Sequence, residues 1–329
     1  MNRTLRWILL GIVALVAGAA MWFGSMLYPW IAMPDEPVGS IDRKWKRVQD
    51  WARSPPALAR DDAPLRRAVE IIRPVRQELR DLGLDEEGAA VDPDRLPAEA
   101  RGAIGQLDRW RRSGGGLGAR DCRRSHGVIE LLALGRAVLA SARRADENVD
   151  GIVRLSSSLR RGGVLVEAMV GMALADATVR WSRARGLPPP PSLVAERPRV
   201  EEIHAALARE AACTHELARR STRSAPGLWG LTIERRSPRG SFADPWPPLG
   251  IVRPAREIVV VRKALADSLV ATFPHRHSPR AFLAATRRAF RVPAKSVVAQ
   301  LVFLHAPPVV GRWLRQIAEI DRELDRQVE

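Results

Sequence analysis

Residues 7–33 read WILLGIVALVAGAAMWFGSMLYPWIAM, 27 residues without a charged side chain. As a helix rising 1.5 Å per residue, such a run reaches about 40 Å, enough to cross a hydrocarbon core of about 30 Å with some tilt. Its flanks give it a direction. Arg3 and Arg6 precede it, and Pro34, Asp35, Glu36 and Pro37 follow it. Positive charge on the N-terminal side holds that side in the cytoplasm, so the rest of the chain is expected outside. Trp22, Tyr28 and Trp30 suit the outer membrane interface, where amphipathic rings rest at headgroup level; ordinary packing of the anchor would use the same rings. The rival reading is a cleaved secretory signal, with Ala17-Gly18-Ala19 as a small-residue site. A signal's apolar region spans about 7–15 residues, whereas this run continues through Met21, Trp22, Phe23, Met26, Leu27, Tyr28 and Trp30. The expectation is an uncleaved single-pass anchor over residues 1–33 in a cell membrane, with the lipid bilayer as its first partner.

Outward from the anchor, charge is the next signal. The chain carries 53 Lys and Arg against 37 Asp and Glu. Arg3 and Arg6 are the only charges before residue 34, so the body keeps 51 bases against 37 acids, a net of +14. Only Lys44, Lys46, Lys263 and Lys295 are lysines. A GC-rich coding sequence accounts for Arg over Lys, but not for the excess of base over acid. That excess points to an anionic contact: lipid headgroups or an envelope polymer, with nucleic acid not expected outside the cell. Cys122 and Cys213 are the two cysteines; they can pair in an oxidising compartment, and sequence alone leaves that open.

Residues 34–60 read as a basic juxtamembrane segment, with Arg43, Lys44, Lys46 and Arg47 around Trp45, then Val48 and Trp51. A short basic helix bearing Trp45 and Trp51 can lie along a lipid surface, or those rings can pack on the body. Residues 61–329 read as one helical domain, with a possible internal boundary at 187–198. Apolar spacings of three and four predict helices over 62–82, 97–112, 126–145, 148–161, 163–185, 199–221, 251–271, 278–290, 294–305 and 308–328. Pro74 should kink the first of these. Residues 113–118, SGGGLG, read as a flexible linker, since a phosphate loop needs a neighbouring strand and Lys. Pro188 to Pro191 reads as a stiff spacer. The apolar stretch 164–175 is too short for a second span and contains Glu167. Gly171 and Ala175 stand four apart, which lets another helix come close. In the last helix Val310, Trp313, Leu314, Ile317, Ile320, Leu324 and Val328 form one stripe for the body or for a partner helix.

The helices over 126–145 and 148–161 resemble a tetratricopeptide hairpin at Leu131, Leu134, Gly135 and Val138. They depart from it at Gly151 and Arg154, and no second copy recurs at a period near 34. The resemblance therefore assigns no family and implies no function.

Catalytic and metal motifs are missing from the sequence. The histidines are His126, His204, His215, His275, His277 and His305, and none falls in a zinc or H-E-x-x-H spacing. No cofactor pattern occurs. Ser156-Ser157-Ser158 reads as a polar helix patch. Glu167 on an apolar helix could be an acid of raised pKa or the partner of an arginine. The segment 222–250 is the best candidate surface. It loses helical periodicity and holds Arg223, Trp229, Arg235, Arg236, Arg239 and Trp246 among five prolines. Arginine forks take phosphate or carboxylate, and indoles stack or enter headgroups. The same segment could instead be a proline-rich cover over the core. Taken together, the sequence predicts an all-α protein: one transmembrane helix, then an irregular multi-helix bundle of helical hairpins. Its expected role is non-enzymatic binding or scaffolding at the envelope, through an anionic surface or a protein partner. The alternative is an envelope enzyme with a cleft around Glu167.

Overall fold

A computed structural model describes residues 38–53, 62–84, 90–117, 127–143, 147–224, 254–290 and 297–326. The apolar run at 7–33 and most of the segment 222–250 lie outside them. The described residues form eleven α-helices and no strand: α1 (Val38–Ala52), α2 (Ala63–Asp81), α3 (Ala98–Arg112), α4 (Val128–Ser141), α5 (Glu147–Gly162), α6 (Leu165–Ala184), α7 (Pro191–Ala195), α8 (Val200–Ser224), α9 (Pro254–Thr272), α10 (Pro279–Ala289) and α11 (Val297–Arg326). The all-α, multi-helix class expected from periodicity is what the described residues adopt. None of these helices is long and apolar enough to cross a membrane.

Helix α2 shows how the pattern becomes structure. Leu65, Ala68, Val69, Ile72, Val75 and Leu79 are buried, one stripe at spacings of three and four. Pro64 sits in the first turn, where its missing N–H costs nothing. Gly83 ends the segment at φ +71°, a left-handed conformation that a side chain would resist.

Two large apolar cores share a central hairpin, and a smaller cluster of Leu139, Ala142, Val149 and Trp181 lies apart from them. Helices α2, α3 and α4 close one core, with Trp110, Leu107, Leu131 and Leu134 at its centre. Helices α1, α8, α9, α10 and α11 close the other, around Leu207, Leu265, Phe282 and Trp313. The α5–α6 hairpin supplies residues to both: Ile152, Leu155 and Leu174 to the first, Val153, Ala168 and Met172 to the second. Its two helices cross at Gly171. A Cβ there would stand 2.6 Å from the Ser156 carbonyl oxygen and 2.9 Å from Arg160 Cγ. Backbone is the obstacle, so the neighbour cannot swing aside. Gly171→Leu is expected to lower body stability by about 1–3 kcal/mol through overpacking. A urea midpoint equal to wild type would put the crossing elsewhere.

Helix α1 is held in the second core in a fixed register. Asp42 pairs with Arg262, Lys44 with Asp267, and Trp51 stacks on Phe273, so α1 runs parallel to α9. Trp45 meets His215 and Trp51 meets His204, so α1 runs antiparallel to α8. The N-terminus of α1, the C-terminus of α8 and the N-terminus of α9 therefore share one end of the body. Trp51, His204 and Phe273 mark the other end.

Three expectations need correction. Residues 113–117 are a packed turn rather than a flexible linker. Trp110 Nε1 donates to the Gly116 carbonyl at 2.7 Å, Arg154 to that of Gly114 at 2.6 Å, and Ser158 to that of Gly115 at 3.1 Å. Three side chains thus satisfy consecutive carbonyls, and Leu117 is buried beside them. The two helices predicted over 294–305 and 308–328 are one helix, α11, which continues through Pro307 and Pro308. Burial of Ala306, Val310, Trp313, Leu314, Ile317, Ile320 and Leu324 in one stripe outweighs the two lost N–H donors. That stripe packs on α6, α8 and α10, so the body itself occupies it. The proline run is likewise packed: Pro190 leads into α7, Leu193 is fully buried, and Ser192 donates to Asp150 at 2.5 Å.

Cys213 of α8 is disulfide-bonded.

Candidate functional site

The residues expected to touch an anionic surface fall into two groups. Trp229, Arg235, Arg236, Arg239 and Trp246 lie outside the described residues, as do Trp22, Tyr28 and Trp30. Arg223 belongs to the backbone of α8, with its side chain outside the description. Trp45 and Trp51 are described, and the reading of both as membrane-interface rings is corrected. Trp45 is 4% exposed, its ring 4.7 Å from that of His215, and Ile41 and Val48 are buried on the same face. Trp51 is half-buried and stacked on Phe273 at 4.3 Å. Helices α8 and α9 offer α1 an apolar surface, and the indoles take it instead of lipid.

The opposite face of α1 is basic and open. Lys44 is tied to Asp267, which also takes Lys263 at 2.6 Å. Arg43, Lys46 and Arg47 are exposed and make no ion pair or hydrogen bond with the described residues. The cations around Trp45 noted in the sequence are therefore separated by the helix into one anchored lysine and three free charges.

Glu167 is buried, and its carboxylate accepts from the Val164 backbone N–H at 3.1 Å. It satisfies one of the unpaired donors in the first turn of α6. Nearby lies the densest buried charge. Arg160 has no exposed surface. Its Nη1 donates to Glu202 at 2.5 Å, Nη2 to the Glu196 carbonyl at 2.6 Å, and Nε to Ser156 at 3.4 Å. Burial pulls the Arg160 pKa below its ordinary value, and the Glu202 carboxylate opposes that pull. Arg161 bridges Glu196 and Glu202. Arg209 donates to the Gly163 carbonyl at 2.6 Å and that of Arg160 at 2.9 Å, closing the C-terminus of α5. The serine patch belongs here too: Ser156 donates to the Gly171 carbonyl and Ser157 to Glu196. Each group's contacts are internal, which marks a clamp between α5, α6 and α8.

A second arrangement, unseen in the sequence, is aromatic. Trp51 and Phe273 stack at an interplanar angle of 14°. His204 meets both edge-on, at 4.9 and 5.2 Å. The Arg276 guanidinium lies 3.7 Å from the Phe273 ring centre, a cation on its π-face. His204 Nε2 is 3.1 Å from the Leu269 carbonyl oxygen, so that nitrogen carries the proton. Burial pushes the His204 pKa down to about 4, and the ring is neutral at neutral pH. Beside this stack opens a cavity of about 340 Å³ lined by Arg47, Asp50, Trp51, Val270, Phe273 and Pro274. Residues 51 and 273 are too far apart in sequence for any spacing to have paired them.

Among the described residues no three His, Cys, Asp or Glu side chains gather as metal ligands would. What the described residues define is an all-helical body with two large cores and a basic first helix. No family model, no curated protein and no solved structure matches the chain.

Proposed function

We propose that this protein is a single-pass membrane protein whose helical body serves a non-enzymatic binding or scaffolding role at the outer face of a cell membrane. The observation that carries the reading is the register of α1. Only residues 34–37 separate the apolar run from Val38, a reach of under about 20 Å even when extended. An anchor at 7–33 would therefore hold the α1 N-terminal end of the body close to the bilayer. The ends of α8 and α9 that flank residues 225–253 lie at that same end. The arginines and indoles of that segment would then leave and rejoin the body beside lipid headgroups. Arg43 and Lys46, free on the open face of α1, add to the same charge. A polybasic surface gains about 1 kcal/mol per cation near anionic lipid. The disulfide at Cys213 suits an oxidising compartment, hence a body outside the cytoplasm. Glu167, the centre of the enzyme alternative, is engaged as a helix cap.

Topology and surface are tested together in cells and vesicles. A reporter active only outside the cytoplasm, fused after Glu329, is expected to be active, and the protein to remain in membranes through alkaline washing. Release of a shortened soluble form would make the run a cleaved signal. Changing Arg223, Arg235, Arg236 and Arg239 to Gln together is expected to weaken binding to anionic vesicles and flatten its salt dependence, with thermal stability kept. Unchanged vesicle binding would remove that segment from the proposed surface.

A further inference from the structure

We propose that the groove at the C-terminal end of α1 is a binding site for a small ligand that joins a flat apolar body to a single carboxylate. It stands on the described side chains alone and holds whichever way the chain is oriented in a membrane.

The floor is built in advance. Trp51, Val270, Phe273 and Pro274 line it with apolar surface. Trp51 and Phe273 are locked by their mutual stack, by His204 edge-on behind them, and by Phe282 beyond His204 at 6.3 Å. Because His204 is neutral and bonded to Leu269, it backs the stack without adding charge. A rigid floor loses little entropy when a ligand settles on it. A volume of about 340 Å³ lies at the lower end of the range for small-molecule pockets, about 300–1,000 Å³. That suits one aromatic ring or branched aliphatic group with its polar head.

The rim selects the head. Arg47 is exposed on the groove edge and has no partner among the described residues. Its planar fork matches a carboxylate in two parallel hydrogen bonds. Arg276 lies across the Phe273 face with one nitrogen on the Phe273 carbonyl, adding positive potential without offering its whole fork. Asp50 also stands on the rim, 3.2 Å from Arg53. Its negative charge works against any anion, and most against a doubly charged phosphate. A monovalent carboxylate reaches Arg47 at the least cost from Asp50. Polar cations have the opposite difficulty, since Arg47 and Arg276 both repel them.

The probes are N-acetyl-L-phenylalanine and its amide, titrated by calorimetry into the full chain in detergent micelles. The carboxylate is expected to bind once per chain, and the amide about tenfold more weakly, the loss of a charge-assisted pair. Arg47→Gln is expected to bring the carboxylate to the amide's level and leave the amide unchanged. Asp50→Asn is expected to tighten the carboxylate. Both positions are exposed, so the melting temperature should stay put in each variant. Equal binding of acid and amide, or an Arg47→Gln protein that binds the acid as well as wild type, would overturn the proposal. So would a failure of the carboxylate probe to bind at millimolar concentration. An Arg47→Gln protein that loses anionic-vesicle binding while keeping the probe would reassign Arg47 to headgroups and overturn it as well.

Discussion

Glu202→Ala is expected to destabilise the body by about 3–5 kcal/mol, the cost of stranding a buried charge. Arg160 has no exposed surface, and Glu202 supplies its carboxylate at 2.5 Å. Without it, the guanidinium keeps the Glu196 carbonyl and Ser156 Oγ but has no negative charge in direct contact. Arg161, at 3.2 Å from the other Glu202 oxygen, loses a partner at the same stroke. Arg160→Met should cost less, because Glu202 would still hold Arg161 and the Arg199 backbone N–H. The double variant should be more stable than the two single losses summed, since neither ion is then left alone. Urea unfolding of the detergent-solubilised chain measures all three. A Glu202→Ala loss under about 1 kcal/mol would mean that water reaches the cluster and that Arg160 is not sealed.

This cluster also shows where sequence reading stops. Periodicity placed α2 because Leu65, Val69, Ile72, Val75, Leu79 and Leu82 recur with the helix's own pitch; the first five are buried, while Leu82, at the helix end, is 37% exposed. The same rule foresaw the close approach at Gly171. It cannot say what a polar side chain will meet. Ser156 to Ser158 read only as a polar helix patch because their acceptors stand 15, 39 and 43 residues away. The turn at 113–117 looked loose because the side chain that fastens Gly114, Arg154, is 40 residues on. Pro307 and Pro308 signalled a break by a local rule that the long apolar stripe of α11 overrides. The aromatic groove is the extreme case. Trp51 was noticed for its amphipathic ring and left open between a lipid surface and the body, because Phe273 and His204, which decide its environment, lie far off in sequence. What was legible is what depends on neighbours one turn away.

Trp45→Ala is the second large expected effect, about 3–5 kcal/mol, as for other buried aromatic truncations. Trp45 is 4% exposed within the core that holds Val48, Leu207 and Leu265. Its loss opens a cavity between α1, α8 and α9 and removes the ring that His215 packs against. The indole N–H finds no acceptor. Trp45→Phe, which deletes that stranded donor and keeps a ring, should therefore cost much less than Trp45→Ala. The pair separates the two roles a juxtamembrane tryptophan can have. A ring resting among headgroups would leave the unfolding midpoint in detergent untouched by either change and alter membrane partitioning alone. A ring in the core gives the graded loss, Ala far worse than Phe, whatever the lipid. On the proposed anchoring the consequence reaches the membrane: with α1 pinned by Trp45, residues 34–37 would join bilayer and body. Trp45→Ala, by loosening α1, should then lengthen that tether and expose residues 38–52 to protease in membranes before the rest of the body is cut. Equal protection of α1 in wild type and Trp45→Ala would mean that the remaining contacts, Asp42–Arg262 and Lys44–Asp267 among them, hold the helix without the ring.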